Sequence, residues 1–167
     1  MIGVPDQPLD ALRDRIGESR RVVEGFAVES GKVAEFARAL GDDAALYRDP
    51  VAASETRYPA VPAPLTFVRT SVFPHNRTDG AGSDPVFDLG FDSAHELHAG
   101  YAVDVDRPVY VGDVLHATAT LTDVYRREGS DAVLTFAEEE LAYRDAEDDP
   151  VLTEELTFVE ALPEAKT

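Results

Sequence analysis

Arg107–Gly129 reads RPVYVGDVLHATATLTDVYRREG, and its texture decides the class of fold. Leu115, Ala117, Ala119 and Leu121 alternate with His116, Thr118 and Thr120. A period of two belongs to a strand with one face buried. Gly112-Asp113 ahead of the run and Glu128-Gly129-Ser130 behind it are turn signals. The flanking segments repeat the pattern. Glu96–Val109 alternates with Tyr101, Val103 and Val105 on one face. A strand over Ala132–Tyr143, an acidic turn through Asp145–Asp149 and a last strand over Val151–Glu160 complete the series. Such runs separated by short turns predict an antiparallel sheet with hairpin connections.

The first third is different. Pro8–Gly17 reads as a short helix with Leu9, Leu12 and Ile16 on one face, and Arg21–Val28 as a strand. Ser30 is a candidate N-cap for a helix whose stripe is Val33, Phe36, Ala37 and Leu40, stopped by Gly41. Asp49-Pro50 is a cap followed by a first helical position, opening a brief turn through Ala53. Three prolines in Tyr58–Pro64 exclude a regular element there. Leu65–Phe73 is apolar enough to be buried, and periodicity does not choose between helix and strand. His75–Asp92, with its turn signal at Asp79-Gly80, reads as a long exposed loop. Helices early and strands late predict an α+β fold rather than a βαβ one.

Composition narrows the function classes. The 167 residues suit one domain with a substantial core, and 44% hydrophobic content is that of a globular chain. There are 33 acidic and 15 basic residues, for a formal charge of −18, and Lys32 and Lys166 are the only lysines. The acids are spread from Asp6 to Glu164 rather than gathered in one block. That distribution favours a surface adapted to concentrated salt, where self-repulsion is screened, over a dedicated basic partner. Nucleic acid is not an expected partner, because phosphate neutralisation requires clustered Lys and Arg. Without cysteine there are no disulfides or thiolate sites. The first 21 residues carry acids early and no sustained apolar run, so neither a signal peptide nor a membrane span is expected. A soluble, cytoplasmic protein with no membrane partner is the expectation.

Candidate chemistry is sparse. No phosphate-binding Gly-rich loop and no G-x-S-x-G elbow occur. His95 and His98 are three apart, which on a strand sends them to opposite faces and argues against a metal pair. His116 falls in mid-strand, where a packed or surface imidazole is the ordinary role, and His75 at a loop start receives none. The stretch Gly41–Pro50, GDDAALYRDP, offers carboxylates and Tyr47 but no His, Ser, Cys or Lys. Asp42 and Asp43 follow a helix end, where the dipole disfavours negative charge.

Three blocks together resemble the MaoC-like dehydratase family. They are VAEFARALGDDAALYRDPVAA (33–53), YPAVPAPLTF (58–67) and the opening stretch 107–129, in that order and spacing. The resemblance spans about residues 20–160 and implies a hot-dog fold, an antiparallel β-sheet wrapped around a central helix. Residues 1–167 would then form a single hot-dog domain. The Pro-rich second block is similar to the family's approach to the wrapped helix, which makes Pro64, Leu65 and Phe67 candidate substrate contacts.

In catalytic members of that family an Asp and a His in the first block act on a β-hydroxyacyl or enoyl thioester. Moving water across the α,β bond requires a base for the carbon-bound proton and an acid for the departing hydroxyl. A backbone N–H at a helix N-terminus polarises the thioester carbonyl. Asp42 falls on the family's Asp, whereas Tyr47 stands where the His belongs and Ala44-Ala45 replace Asn-Pro. A phenol with an ordinary pKa near 10 is a poor base at neutral pH. The Tyr, together with His98 opening the strand before RPVYVGD, resembles the non-catalytic, acyl-binding half of two-part (3R)-hydroxyacyl-thioester dehydratases.

The implied function is an acyl-binding subunit for an acyl-CoA or acyl carrier protein thioester. It would be paired as a homodimer or heterodimer with a MaoC-like partner supplying the catalytic Asp and His. No metal or other cofactor is expected. Asp42, Tyr47 and His98 are then vestigial candidates. The alternatives are an active homodimer using them in another arrangement, a thioesterase with Asp42 activating water, and a non-catalytic acyl-thioester-binding module.

Overall fold

A computed structural model describes residues 7–72, 86–129 and 132–163. Five strands form one antiparallel sheet: β1 (Ser19–Ala27), β2 (Glu96–Val105), β3 (Val114–Glu128), β4 (Ala132–Arg144) and β5 (Pro150–Pro163). Their order is β1-β3-β4-β5-β2, which leaves β1 and β2 at the edges. Three short α-helices, α1 (Leu9–Arg13), α2 (Ser30–Ala39) and α3 (Pro50–Ser54), precede β2. The α+β expectation holds, and so does the hairpin order of the last three strands. Among the described residues no helix is long and apolar enough to cross a membrane.

The alternation read in Arg107–Gly129 becomes the core face of β3, where Leu115, Ala117, Ala119 and Leu121 are all buried. Their cross-strand partners continue the same face. Ala117 lies opposite Tyr143, Ala119 opposite Leu141 and Leu121 opposite Glu139. On β5 the row continues as Leu152, Glu154 and Leu156. His116 lies on the other parity, and its Nδ1 accepts a hydrogen bond from the Gly25 N–H at 3.2 Å, at an irregularity in the β1–β3 pairing. Arg107 joins two turns at the sheet end. Its guanidinium reaches Asp113 at 2.8 Å and Asp145 at 3.0 Å.

In the place of the expected central helix the chain has only a short segment. Leu65–Ser71 is a seven-residue 3₁₀ segment. It lies on the sheet's core face because the Pro-rich segment before it is tied to the connection between β2 and β3, with an isolated bridge between Pro62 and Tyr110. The Ala63 N–H donates to the Val109 carbonyl and the Val111 N–H to the Val61 carbonyl, at 2.8 and 2.9 Å. Phe67 is the pivot of this packing. Its ring meets Phe36 of α2 edge-on at 5.6 Å and Phe26 of β1 at 5.8 Å.

Three further expectations need correction. In the α2 stripe Val33 and Ala37 are buried but Leu40, the last residue before the stop, is 59% exposed. The helix turns at Gly41 (φ +78°) before Leu40 can reach the core. Ser30 begins the helix rather than capping it, with Glu29 in the cap position and no side-chain bond. The third concerns the loop His75–Asp92. Positions 75–85, with the Asp79-Gly80 signal, lie outside the described residues. The remainder is not simply exposed, since Phe87 and Leu89 are buried at 1% and 4%. The Arg20 guanidinium lies 4.6 Å from the Phe87 ring centroid, and the Asp92 N–H donates to buried Glu160 at 2.7 Å. A polar segment is thus fastened to the sheet by two apolar anchors and a carboxylate.

Candidate functional site: two cavities along the core face of β5

The loop Gly41–Pro50 is built by its own backbone logic. The Gly41 N–H donates to the Arg38 carbonyl and the Asp42 N–H to the Ala37 carbonyl, a Schellman ending that requires the left-handed Gly41. Asp42 Oδ1 then accepts the Ala44 N–H at 3.0 Å, so this carboxylate finds a donor despite its place at a helix end. A 3₁₀ turn, Ala45–Tyr47, follows, and Asp49 caps α3 by accepting the Val51 N–H at 2.9 Å.

That turn aims Tyr47 into the wall of an outer cavity of about 330 Å³, shared with Pro64, Leu65, Val105 and Leu152. Burial, and then the nearby Asp42 carboxylate, push the Tyr47 phenol above its ordinary value. Both effects disfavour the phenolate that a base would need. Asp42 and Tyr47 also flank a notch of about 10 Å³, which is no larger than a water site.

Leu65 faces the outer cavity, and the far end of the same 3₁₀ segment faces another. Arg69, Ser71 and Val72 border an inner cavity of about 410 Å³, closed by Glu139, Leu156 and Phe158 of the sheet. Glu154 stands on β5 between Leu152 of the outer cavity and Leu156 of the inner one. Its carboxylate is fully buried and held by Arg69 at 3.1 Å and by the Tyr101 hydroxyl. Burial, followed by the hydrogen bond to Glu154, raises the Tyr101 phenol well above its ordinary range. Tyr143 is raised likewise, by burial and then by the Glu154 charge. Both tyrosines are neutral donors at any physiological pH.

Of the sequence-derived candidates, Tyr47, Pro64 and Leu65 come together at the outer cavity. Phe67 does not, being a core residue outside both cavity walls. His98 is an exposed residue of β2 whose ring lies 5.5 Å from Phe158, at the inner cavity. Val105, which shares the outer cavity with Tyr47, lies seven residues further along the strand. A rise of about 3.4 Å per residue separates the two ends by roughly 24 Å. Within one chain, His98 therefore does not join Asp42 or Tyr47. His95 is paired with Asp92 at 2.9 Å. Among the described residues no three His, Asp or Glu side chains gather as a metal site.

The residues that sequence reading missed are the buried glutamates Glu139, Glu154 and Glu160. The signal was parity. Each sits in step with the core-facing residues of its strand, as in Leu152-x-Glu154-x-Leu156. In so acidic a chain the composition hides them. Glu139 accepts the Phe87 N–H through Oε1 at 3.4 Å, while its Oε2 is buried without a hydrogen-bond partner.

Residues 15–154 match the family model of the FAS1-like dehydratase domain region. The chain belongs to this family. It is 34% identical over 153 residues to a UPF0336 protein of Saccharopolyspora erythraea, covering 91% of each chain. A UPF0336 protein of Mycobacterium tuberculosis is 28% identical over 144 residues, covering 86% of this chain and 82% of the relative. Among solved structures, a MaoC-like dehydratase matches with a TM-score of 0.70 and 28% identity over 92% of this chain. This chain spans 43% of that protein. The ChsH1-ChsH2 complex of Mycobacterium tuberculosis matches in fold with a TM-score of 0.73 at 17% identity, covering 95% of this chain and 91% of that one. The resemblance to MaoC-like dehydratases and the hot-dog fold is borne out.

Proposed function

We propose that this chain is the acyl-binding subunit of an (R)-specific 3-hydroxyacyl-thioester dehydratase, or enoyl-thioester hydratase in reverse. A MaoC-like partner supplies the catalytic Asp and His. The observation that carries the reading is Tyr47 in the wall of the outer cavity with Pro64 and Leu65. By the family resemblance Tyr47 stands where the base belongs, and its phenol is held neutral. A subunit that shapes the acyl site needs nothing more there. Loss of a positioned general base costs roughly 10²–10⁴-fold, so turnover requires one from elsewhere.

The exposed edge strand supports a partner. Among the described residues β2 pairs only with β5, and Leu97, Tyr101 and Val105 along it are 60%, 37% and 41% exposed. An unpaired edge with apolar side chains is a template for a second sheet. One solved structure of the same fold, at a TM-score of 0.67 and 24% identity, is the HadBC (3R-hydroxyacyl-ACP dehydratase) complex of Mycobacterium tuberculosis. It covers 87% of this chain and 97% of that one.

The test is crotonyl-CoA hydration by the chain alone, then mixed with a catalytic MaoC-like protein from the same source. Activity only in the mixture, retained in Tyr47→Phe, is the expected result. Full activity of the chain alone, abolished by Asp42→Asn or Tyr47→Phe, overturns the subunit reading. Thioester cleavage without hydration favours a thioesterase instead.

A further inference from the structure

The two cavities follow one another along the core face, and three elements run past both in the same order. On β5 Leu152 borders the outer cavity and Leu156 the inner one, with Glu154 between them. On the 3₁₀ segment Leu65 borders the outer cavity and Arg69 the inner one. On β2 Val105 borders the outer cavity, while Tyr101 lies opposite Leu156. Halfway along, the Glu154 carboxylate ties the three elements together. It accepts from Arg69 at 3.1 Å and from the Tyr101 hydroxyl. Glu154 is 0% exposed, so neither cavity reaches it. Among the described residues the two cavities share no lining residue.

A buried ion pair is a poor device for stability, because apolar residues of the same size commonly serve as well or better. What it does supply is stiffness. An apolar side chain at a cavity end can swing aside for an incoming chain. Moving Arg69 off Glu154 would instead leave a charge buried and unpaired. The segment that carries Arg69 is pinned as well, since the Tyr143 hydroxyl lies 3.3 Å from Ser71 Oγ and 3.4 Å from the Val68 carbonyl. We infer that the Arg69–Glu154–Tyr101 bridge is the stop that sets the longest acyl chain the outer cavity accepts, keeping the chain out of the inner cavity behind it. This inference rests on the acyl-binding reading above and adds the residues that determine chain length.

Titration calorimetry of the full chain with N-acetylcysteamine thioesters, from butanoyl to dodecanoyl in two-carbon steps, tests it. These probes are uncharged, so the −18 charge of the chain does not bias the comparison. Affinity is expected to rise roughly fourfold with each added methylene while the chain still finds apolar wall, and to stop rising at one length. The Arg69→Ala/Glu154→Ala variant removes both charges together and leaves space between the cavities. Its affinity is expected to go on rising for at least one further two-carbon step, a gain of about fifteenfold. Val72→Trp narrows the inner cavity and leaves the bridge intact, so it is expected to reproduce the wild-type profile. It carries the test should the double variant not fold. An unchanged limit in a folded double variant overturns the inference and leaves the acyl reading standing. So does a limit that Val72→Trp shortens, or a wild-type affinity that climbs to the longest probe without levelling. Failure of every thioester to bind overturns both.

Discussion

Glu139→Gln is expected to stabilise the protein increasingly as pH rises. Burial raises the Glu139 carboxyl from its ordinary 4.5 to about 7. The Phe87 N–H, Arg20 of β1 and Arg69 of the 3₁₀ segment pull it down, and Glu96 of β2 pushes it up further. The folded chain therefore holds a proton that the unfolded chain has lost. Between about pH 4.5 and pH 7 the folded state binds more protons, so stability falls as pH rises through that window and levels off above it. Each pH unit is worth about 1.4 kcal/mol, which makes the full loss roughly 3 kcal/mol. Gln keeps an acceptor for the Phe87 N–H and has no proton to lose. Every other carboxylate is common to both proteins, so their difference isolates this one group. Guanidinium denaturation of both proteins, at one ionic strength, at about pH 5 and again above pH 7, reads the difference directly. The advantage of the Gln variant is expected to grow by about 2–2.5 kcal/mol between the two, since part of the loss has already occurred by pH 5. Parallel pH profiles refute the reasoning, and a wild type that gains on the variant as pH rises reverses its sign.

Other perturbations test the packing around the site. Arg69→Met leaves the fully buried Glu154 carboxylate without its counter-charge and is expected to cost about 3–5 kcal/mol in a denaturant melt. The double change with Glu154→Leu is expected to recover most of that loss. Phe67→Ala removes the ring between Phe26 and Phe36 and is expected to cost about 3–5 kcal/mol, read as a shift in denaturation midpoint. Raising potassium chloride from low to molar concentration is expected to raise the thermal midpoint, because added ions screen the repulsion of a −18 chain. A midpoint indifferent to salt contradicts the high-salt reading of the composition.

The sheet was legible in the sequence wherever one physical rule acted alone. In β3 the period of two in Leu115–Leu121 had no competing signal, and burial of that face followed. The Gly41 stop and the Asp49-Pro50 start were equally plain, because a left-handed residue and a missing N–H leave the backbone few alternatives. The 3₁₀ segment over Leu65–Ser71 was not legible. An apolar run behind three prolines satisfies a strand or a helix locally, and only the contacts of Phe67 with Phe26 and Phe36 choose. Phe87 was hidden for a related reason, since two apolar anchors in a Gly- and Asp-rich stretch do not make a period.

The site shows the same limit in a sharper form. Tyr47 and Pro64-Leu65 could be put in one region by resemblance, and the cavity wall gathers them. His98 was drawn to them by the same resemblance, but it stands near the other end of β2, beside Phe158, because a strand separates by length residues that a motif joins by order. Glu139 was masked by its neighbours. In Glu138-Glu139-Glu140 the outer two acids are what a highly charged surface predicts, and they make the middle one look alike. Strand parity separates them, since Ala137, Glu139 and Leu141 share the face that packs inward. An acid at a core parity in an acidic protein is thus better evidence of a specific role than any of its exposed neighbours. Surface charge can be satisfied by any carboxylate anywhere, whereas a buried one must be compensated at that one position.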